Sequence, residues 1–523
     1  MANTKIFASA TPSVRARAIQ TDTVNDAGGK AYALSDKEAL AQMAITGVFG
    51  DTFYASGGDQ LARAKELVER VDTEFLAKLA VYTRTKGYMK DLPAYLCAVL
   101  ARRDVTLLAN IFDKVIDNGK MLRNFVQIVR SGQAGRKSLG SRPKKLVANW
   151  LTSASDSRLL AASVGNSPSL ADVIRLSHPH AQDESRNAFF AWVLGNPTDA
   201  EKLPEIVREL EAARAGTLDS MPKVPFELLT SLPLDTKHWT EIARNASWTQ
   251  TRMNLNTFAR HGVFENKDVV KLLADRLRNP EEIRRARAFP YQLLAAYLNT
   301  GEVVPSALRN ALQDAMEVAI ENVPSFEQGV AVLVDTSGSM SSPVTGARGS
   351  ATSKMRCVDV AALFASAVLR RNEDARIVPF DTRVHAADLN SRDSVVTNTR
   401  KLARNGGGTD CGCALQHLNK VGALEELVIY VSDNESWADR RGYYSRGTAV
   451  MDEWEKYKRR VPGARMVCID LTPNATTQAR NRKDMLNIGG YSDDVCKVLA
   501  NFARGELGGG HWVGEIEGTT TGL

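Results

Sequence analysis

The hydrophobic period of this chain changes once, near Pro324, and that change limits what the chain can fold into. Upstream of it, apolar residues recur every three or four positions. From Asp59 to Lys86 they are Leu61, Ala64, Leu67, Val68, Val71, Phe75, Leu76, Leu79 and Tyr82, the stripe of an amphipathic helix. Asp91-Leu92-Pro93 then restarts a helix with a capping Asp and an early Pro. The pattern returns around Leu107–Val129, Lys145–Leu151, Ser169–Leu176, Arg186–Leu194, Ile206–Ala215, Val269–Leu277 and Tyr291–Leu298. Alternating strand patterns are nearly absent there. One-faced helices in such number bury their stripes by stacking as hairpins, so an α-solenoid is expected, although no clean sequence period marks its repeats.

Downstream, Gly329–Val334, Arg376–Phe380, Leu427–Val431 and Arg465–Ile469 are short apolar runs. Helical patterns lie between and after them, at Val358–Arg371, Asp410–Leu418, Val450–Arg460 and Asp493–Arg504. Strands buried on both faces and alternating with helices predict a parallel, doubly wound sheet. The expected limits are an N-terminal arm over 1–24, a helical array over 25–325, an α/β domain over 326–505, and a Gly- and Thr-rich, weakly ordered tail over 506–523.

Composition excludes other classes. With 523 residues, 44% apolar and 24% charged, the chain is neither a disordered tail, a collagen nor a small disulfide scaffold. Its six cysteines form no C-x-x-C pair, so buried free thiols are expected rather than a disulfide framework or a zinc site. No apolar run reaches membrane-helix length, and the first residues lack a signal-peptide core; both point to the cytosol.

The net charge of +7 is uneven: residues 326–523 hold 25 Lys/Arg against 24 Asp/Glu, and residues 1–325 hold 42 against 36. Between Asp117 and Asp156 there is no acid, yet Lys120, Arg123, Arg130, Arg136, Lys137, Arg142, Lys144 and Lys145 all fall there. A polyanion suits such a stretch, although a Lys/Arg run is usually a solvated helix face. Lys144 and Lys145 share a helix with Leu146, Trp150 and Leu151, which leaves a basic side to face out. A second cluster, Arg252, Arg260, Lys267, Lys271, Arg276, Arg278, Arg284, Arg285 and Arg287, has Asp268, Asp275, Glu281 and Glu282 interleaved, so intrahelical ion pairs account for much of it.

Ligands of doubly wound sheets bind at the carboxyl ends of the strands. Three segments converge there: Asp335-Thr-Ser337-Gly-Ser339-Met340, Gly406-Gly-Gly-Thr409-Asp410, and Ser432-Asp433-Asn434-Glu435. One carboxylate and two hydroxyls at alternate positions of a turn, with Thr409 and Asp433 from neighbouring loops, make an oxygen-only donor set. Such a set with few carboxylates suits Mg²⁺, which keeps waters and an open position for a partner's carboxylate or phosphate oxygen. Each segment alone reads as a turn. Their order at three strand ends is what gives them weight. Trp437, Tyr443 and Tyr444 follow at the rim, to contact a partner or to fold the loop.

D-x-S-x-S, then a Thr in a Gly-rich loop, then an Asp after a later strand, resembles the metal-ion-dependent adhesion site (MIDAS) of von Willebrand factor A domains. DTSGSM (335–340), GGTDC (407–411), SDNE (432–435) and RKDMLNIGGYSDDVCKVLANF (482–502) resemble the C-terminal domain of the Ro ribonucleoproteins. RLSHP (175–179), the Lys144-Lys145…Trp150 helix, MNLNTF (253–258) and ARAFPYQLLAAY (286–297) resemble the TROVE module of that family. The resemblance covers about residues 25–505.

It implies a ring of HEAT-like helical repeats closed by a Rossmann-like A domain, a non-catalytic protein and RNA as partner. Single-stranded ends of misfolded RNA would enter a basic central hole. Small structured Y RNAs would lie on the outer surface, and an exoribonuclease would join through the Y RNA to a monomeric protein. Asp335, Ser337, Ser339, Thr409 and Asp433 match the family's metal site. Arg175 and His178 belong to RLSHP, where His178 matches an RNA-contacting histidine. Two basic family positions just upstream are unmatched; a gap-free alignment puts Ala161 and Gly165 there. The chain shows no P-loop, activated nucleophile or nuclease-like acid pair. The competing reading is a scaffold whose A domain captures an acidic partner.

Overall fold

The structure is a computed structural model that describes residues 20–522 except 48, 218–220, 223, 230, 231, 233, 287, 289, 348–352, 405, 439–446 and 507–510. Arg287, Tyr443, Tyr444 and most of the expected N-terminal arm therefore lie outside the described residues. Among those described, helix follows helix from Asp36 to Ala319. Side-chain caps start most of them. Ser35, Ser56, Ser169 and Ser247 each form a reciprocal capping box with the residue three positions on.

Caps also correct two sequence expectations. The stripe from Asp59 to Lys86 is two helices, Gly57–Arg70 and Thr73–Thr85, because Asp72 caps the second by accepting from the Phe75 amide. Leu107–Val129 likewise divides into Val105–Val115 and Gly119–Arg130, with Asn118 capping the latter. A stripe carries across such a break when both helices face the same core, and the local cap decides where the backbone turns.

Before the first helix lie two short strands, β1 (Thr23–Val24) and β2 (Lys30–Ala33), which pair antiparallel. After the helical array come β3 (Val330–Asp335), β4 (Arg376–Phe380), β5 (Leu427–Ser432), β6 (Arg465–Asp470), β7 (Thr476–Thr477) and β8 (Met485–Gly489). Five of these form a wholly parallel sheet in the order β4-β3-β5-β6-β8. β7 instead pairs with β2, which places an N-terminal strand on the α/β domain. Pattern reading missed β8, where Asn487 interrupts the apolar run. Asn487 is buried, with its amide donating to the Ala479 carbonyl and its oxygen accepting from Thr477. It also missed the helix Val395–Leu402, which is mostly polar in sequence.

The sheet has two dry faces. Val330, Val332 and Val334 of β3 join the core that runs on through the helical array, whereas Ala331 and Leu333 face a second core built around Trp454 and Tyr457. The array meets the α/β domain at both of its ends. Helix Asp36–Thr46 packs on β8, while Pro290–Asn299 and Ser306–Ala319 pack on helices Cys357–Arg371 and Val395–Leu402. Tyr291 meets Tyr491 edge-on at 4.8 Å, and Arg400 Nη2 donates to Tyr297 Oη at 2.8 Å. Docking at both ends closes the helical array into a ring through the α/β domain.

The segment expected to be a weakly ordered tail forms a helix, His511–Glu517, instead. Trp512 and Ile516 are buried there, and Trp512 Nε1 donates to Tyr82 Oη at 3.3 Å. Two large apolar residues four apart outweigh the glycines around them. No described helix is long and apolar enough to cross a membrane.

Candidate cation cradle and basic surface

β3 and β5 are neighbours in the sheet, so Asp335 and Asp433, at and just beyond their carboxyl ends, come together at the sheet's rim. The loop after β3 turns back on itself. The Ser337 amide donates to Asp335 Oδ1 at 2.8 Å, and the Ser337 and Ser339 hydroxyls lie 3.2 Å apart. Ser432 Oγ donates to Asp335 Oδ2 at 2.5 Å. The Gly-rich loop is laced to this turn: Gly338 N donates to Gly407 O, and Gly406 N to Thr336 O, each at 3.0 Å. Gly407 needs its glycine, with φ +76 and Asp381 against the place of a Cβ. Thr409 is held by its backbone, its carbonyl accepting from the Trp437 and Ala438 amides. Trp437 lays its ring against Gly408, so this aromatic folds the loop, although it remains half exposed.

All five expected donor residues are therefore in one buried cradle. Asp335 and Asp433 are 0% and 2% exposed, and neither has an ion pair among the described residues. Burial, and then the Asp433 charge, push the Asp335 carboxyl up to about 7 against the hydrogen bonds from Ser432 and Ser337. Burial raises Asp433 as well. No group of three or more His, Cys, Asp or Glu among the described residues is arranged to hold a metal. A cation here would rest on two carboxylates and three hydroxyls. That is a fitting set: two uncompensated carboxylates in a dry cradle are costly, and a hard cation relieves them.

Sequence reasoning did not find the residues that ring this cradle from the other half of the molecule. Asn25 Nδ2 donates to the Ser436 carbonyl at 2.9 Å, and the Ala27 amide donates to Glu435 Oε2 at 3.0 Å. Burial pushes Glu435 up to about 8. Burial, and then the Asp433 charge, push the phenol of Tyr54, in the loop between helices Asp36–Thr46 and Gly57–Arg70, up to about 12, and the Glu435 and Asp335 charges add to the rise. These residues stand about 280 or more positions from the cradle in sequence, so no local pattern announces them.

The acid-free stretch spans helices Gly119–Arg130 and Ser141–Ser153 and the loop between. Lys120, Arg130, Lys137, Arg142, Lys145 and Arg175 are exposed, whereas Lys144 is half-buried. Arg136 is spent on the fold, donating to the Ser138 and Ala101 carbonyls. Both helices carry cations and no acid in their first turn, where the helix dipole favours anions. Ser141–Ser153 in addition has no side-chain cap, its N-cap being Gly140. Arg175 makes only a loose pair with Asp172, at 3.6 Å. His178 ends helix Leu170–Ser177 in the left-handed conformation, φ 48, and is exposed. It opens with Arg175 and His180 onto a groove floored by Phe190.

Arg123 occupies a telling place. Its guanidinium lies over Gly165, where a Cβ would stand 2.1 Å from Nη1. Its Nε is buried without a partner, and burial alone lowers its pKa. A cation from the neighbouring helix thus covers one of the two positions where the family's basic residues are unmatched. In the second cluster, Arg276 donates to the Ala243 and Arg244 carbonyls, Arg252 to Gln292, and Arg284 pairs with Glu321 at 2.9 Å. These pairings are largely between helices rather than within one.

A helical ring closed by an A-type α/β domain, with three loops converging on a buried carboxylate-hydroxyl cradle, defines a ring-and-A-domain protein. Residues 330–503 match the family model described as Ro60 vWA domain. Over 528 residues the chain is 27% identical to RNA-binding protein RO60 of Deinococcus radiodurans, with 92% of this chain and 95% of that protein covered. It is 23% identical over 295 residues to RNA-binding protein RO60 of Caenorhabditis elegans, covering 54% of this chain and 44% of that protein. The crystal structure of the Deinococcus radiodurans RO (RSR) protein has the same fold, with a TM-score of 0.61 at 21% identity over 90% of this chain and all of that one. The chain is thus similar to a Ro protein along most of its length, and its α/β domain matches the Ro60 vWA model.

Proposed function

We propose that this protein is a non-catalytic, Ro-type RNA-binding protein. It holds structured RNA, of the Y RNA kind, on the basic outer face and takes single-stranded ends of misfolded RNA into the ring, for RNA quality control. The single observation that carries the reading is the pair of helix N-termini loaded with Lys120, Arg142, Lys144 and Lys145 and no acid. Cations there work against the helix dipole, and a polyphosphate backbone compensates both. Affinity from such contacts is salt-dependent and largely indifferent to sequence. Selection of a free end comes from the shape of the ring.

In this reading the A-domain cradle binds a divalent cation, Mg²⁺, through Asp335, Ser337, Ser339, Thr409 and Asp433. The cation supplies fixed positive charge there and takes no part in chemistry. Filter binding of a hairpin RNA with a single-stranded tail, over a salt series, tests the function. A steep fall of affinity with salt is expected. Weak binding with a flat salt dependence would favour the scaffold reading, in which the A domain captures an acidic partner.

A further inference from the structure

Helix Gly119–Arg130 and the turn that follows helix Asp156–Ala162 press together at two levels. At the first, a Cβ on Gly119 would stand 2.2 Å from the Ala162 Cβ, so the two backbones nearly touch. One helical turn further on, Arg123 lies over Gly165, where a Cβ would stand 2.1 Å from Nη1 and 2.8 Å from both Cζ and Nη2. Gly165 has φ +113 as well, so only glycine suits the place. Nothing in the fold rewards Arg123 for lying there. Its Nε is enclosed without an acceptor, neither Nη group has a partner among the described residues, and burial is the one influence on its charge. An arginine held this way costs folding free energy, because it gives up side-chain freedom, buries a donor and gains no partner. The loop under it is unsatisfied too. Gly165, Asn166 and Ser167 are exposed, and their amides donate to no described residue. Asp172, the first acid beyond this loop, is engaged elsewhere: its Oδ2 accepts from the Ser169 amide at 3.0 Å and the Ser169 hydroxyl at 2.7 Å.

We propose that Arg123 and the loop Gly165–Ser167 form a clamp for one backbone phosphate of the bound RNA: both Nη groups grip the phosphate, the loop amides are further donors, and Gly165 makes room for the guanidinium. The inference rests on the RNA reading above and deepens it, by naming the ligand group and the residues that meet it. A phosphodiester presents two non-bridging oxygens that match the paired Nη donors of an arginine, and it brings the negative charge that this place lacks. Enclosure of Nε fixes the side chain before RNA arrives, so little rotamer freedom is left to lose on binding. That sets Arg123 apart from Lys120, Arg130 and Lys145, whose side chains are exposed. The contact is blind to the identity of the base and fixes the register of the RNA on the protein.

The test uses the full-length protein and a hairpin RNA with a single-stranded tail, read by fluorescence polarisation over a salt series. Wild type is compared with Arg123→Ala, Arg123→Lys, Gly165→Ala and the double variant Arg123→Ala/Gly165→Ala, and each is melted. Arg123→Ala is expected to flatten the log–log salt slope by about 0.7 to 0.9 and to weaken binding about 5- to 8-fold at about 0.1 M salt, the share of one phosphate. Its melting temperature should hold or rise, because a buried donor without a partner is gone. Arg123→Lys should keep the slope, as a point charge, and bind more weakly than wild type for want of the fork. Gly165→Ala should weaken binding as Arg123→Ala does, and the double variant should be no weaker than either single one. A flat salt dependence in wild type would overturn the RNA reading itself. A steep wild type, with Arg123→Ala unchanged in affinity and slope, would leave the RNA reading standing and refute the clamp. A melting temperature lowered by several degrees in Arg123→Ala would assign the residue to the fold and refute the clamp as well. Additive losses in the double variant would refute the part given to Gly165.

Discussion

Replacing Arg142 and Lys145 by alanine separates an RNA-holding surface from an ordinary solvated helix face. Both side chains are exposed, Arg142 sits in the first turn of helix Ser141–Ser153 and Lys145 at the start of its second, and neither has an ion pair among the described residues. Each phosphate contact contributes about 0.7 to the slope of log affinity against log salt for a single strand and about 0.9 for a duplex. Loss of two contacts should therefore flatten the slope by about 1.4 to 1.8 and weaken binding about 25- to 60-fold at about 0.1 M salt, with the two proteins converging towards 1 M. The fold should not suffer. Removing Arg142 from the first turn relieves a dipole conflict worth roughly 0.3–1 kcal/mol, so the melting temperature should hold or rise. Fluorescence polarisation with a tailed hairpin RNA across a salt series reads the first quantity, and thermal unfolding the second. Parallel log–log lines for variant and wild type would refute the assignment of this face to RNA.

Three further outcomes are expected. In chelator, stability should fall as the pH rises from about 5 to about 8, because burial raises the folded-state pKa of Asp335 to about 7 and of Glu435 to about 8. A raised acid stabilises fully below its unfolded value near 4 and loses that contribution as the pH climbs through the folded value. Added Mg²⁺ should remove the fall, and a melting temperature that climbs over the same range in chelator would contradict it. Truncation after Glu506 should cost about 3–6 kcal/mol in denaturant unfolding, since it strips away the buried Trp512 and Ile516, each worth about 1.5–3 kcal/mol; a loss below about 1 kcal/mol would mean that the tail helix contributes nothing. Gly29→Ala should free the turn over Asn25–Gly29 to protease, because its Cβ would stand 1.9 Å from the Ser436 carbonyl oxygen; unchanged cleavage would show that the turn is not docked there.

The architecture was legible in sequence wherever one period held over a whole element. The runs at Arg376–Phe380 and Arg465–Ile469 became strands within a residue of their expected ends, and the donor loops met because strand order puts β3 beside β5. Legibility failed where a decision was tertiary. Asn487 disguised a strand because its polar groups are satisfied by Ala479 and Thr477, from a segment that pattern reading does not connect to it. The glycines around Trp512 suggested a loose tail, yet what orders that helix is a groove that includes Tyr82. Arg136 counted as a surface cation in sequence, but the fold uses it to tie a loop. Glu435 gains meaning only where the Ala27 amide, about 400 positions upstream, meets it.

Strand β2 has a temporal consequence. Its outer partner is β7, so Tyr32, which lies opposite Thr477, has to wait until everything between them has been synthesised. Domains tend to fold in the order in which they leave the ribosome. Here the helical half emerges early but stays unlatched, with one edge of β2 unpaired, until β7 has been made. A prematurely terminated product would hold the cationic helices without the clasp.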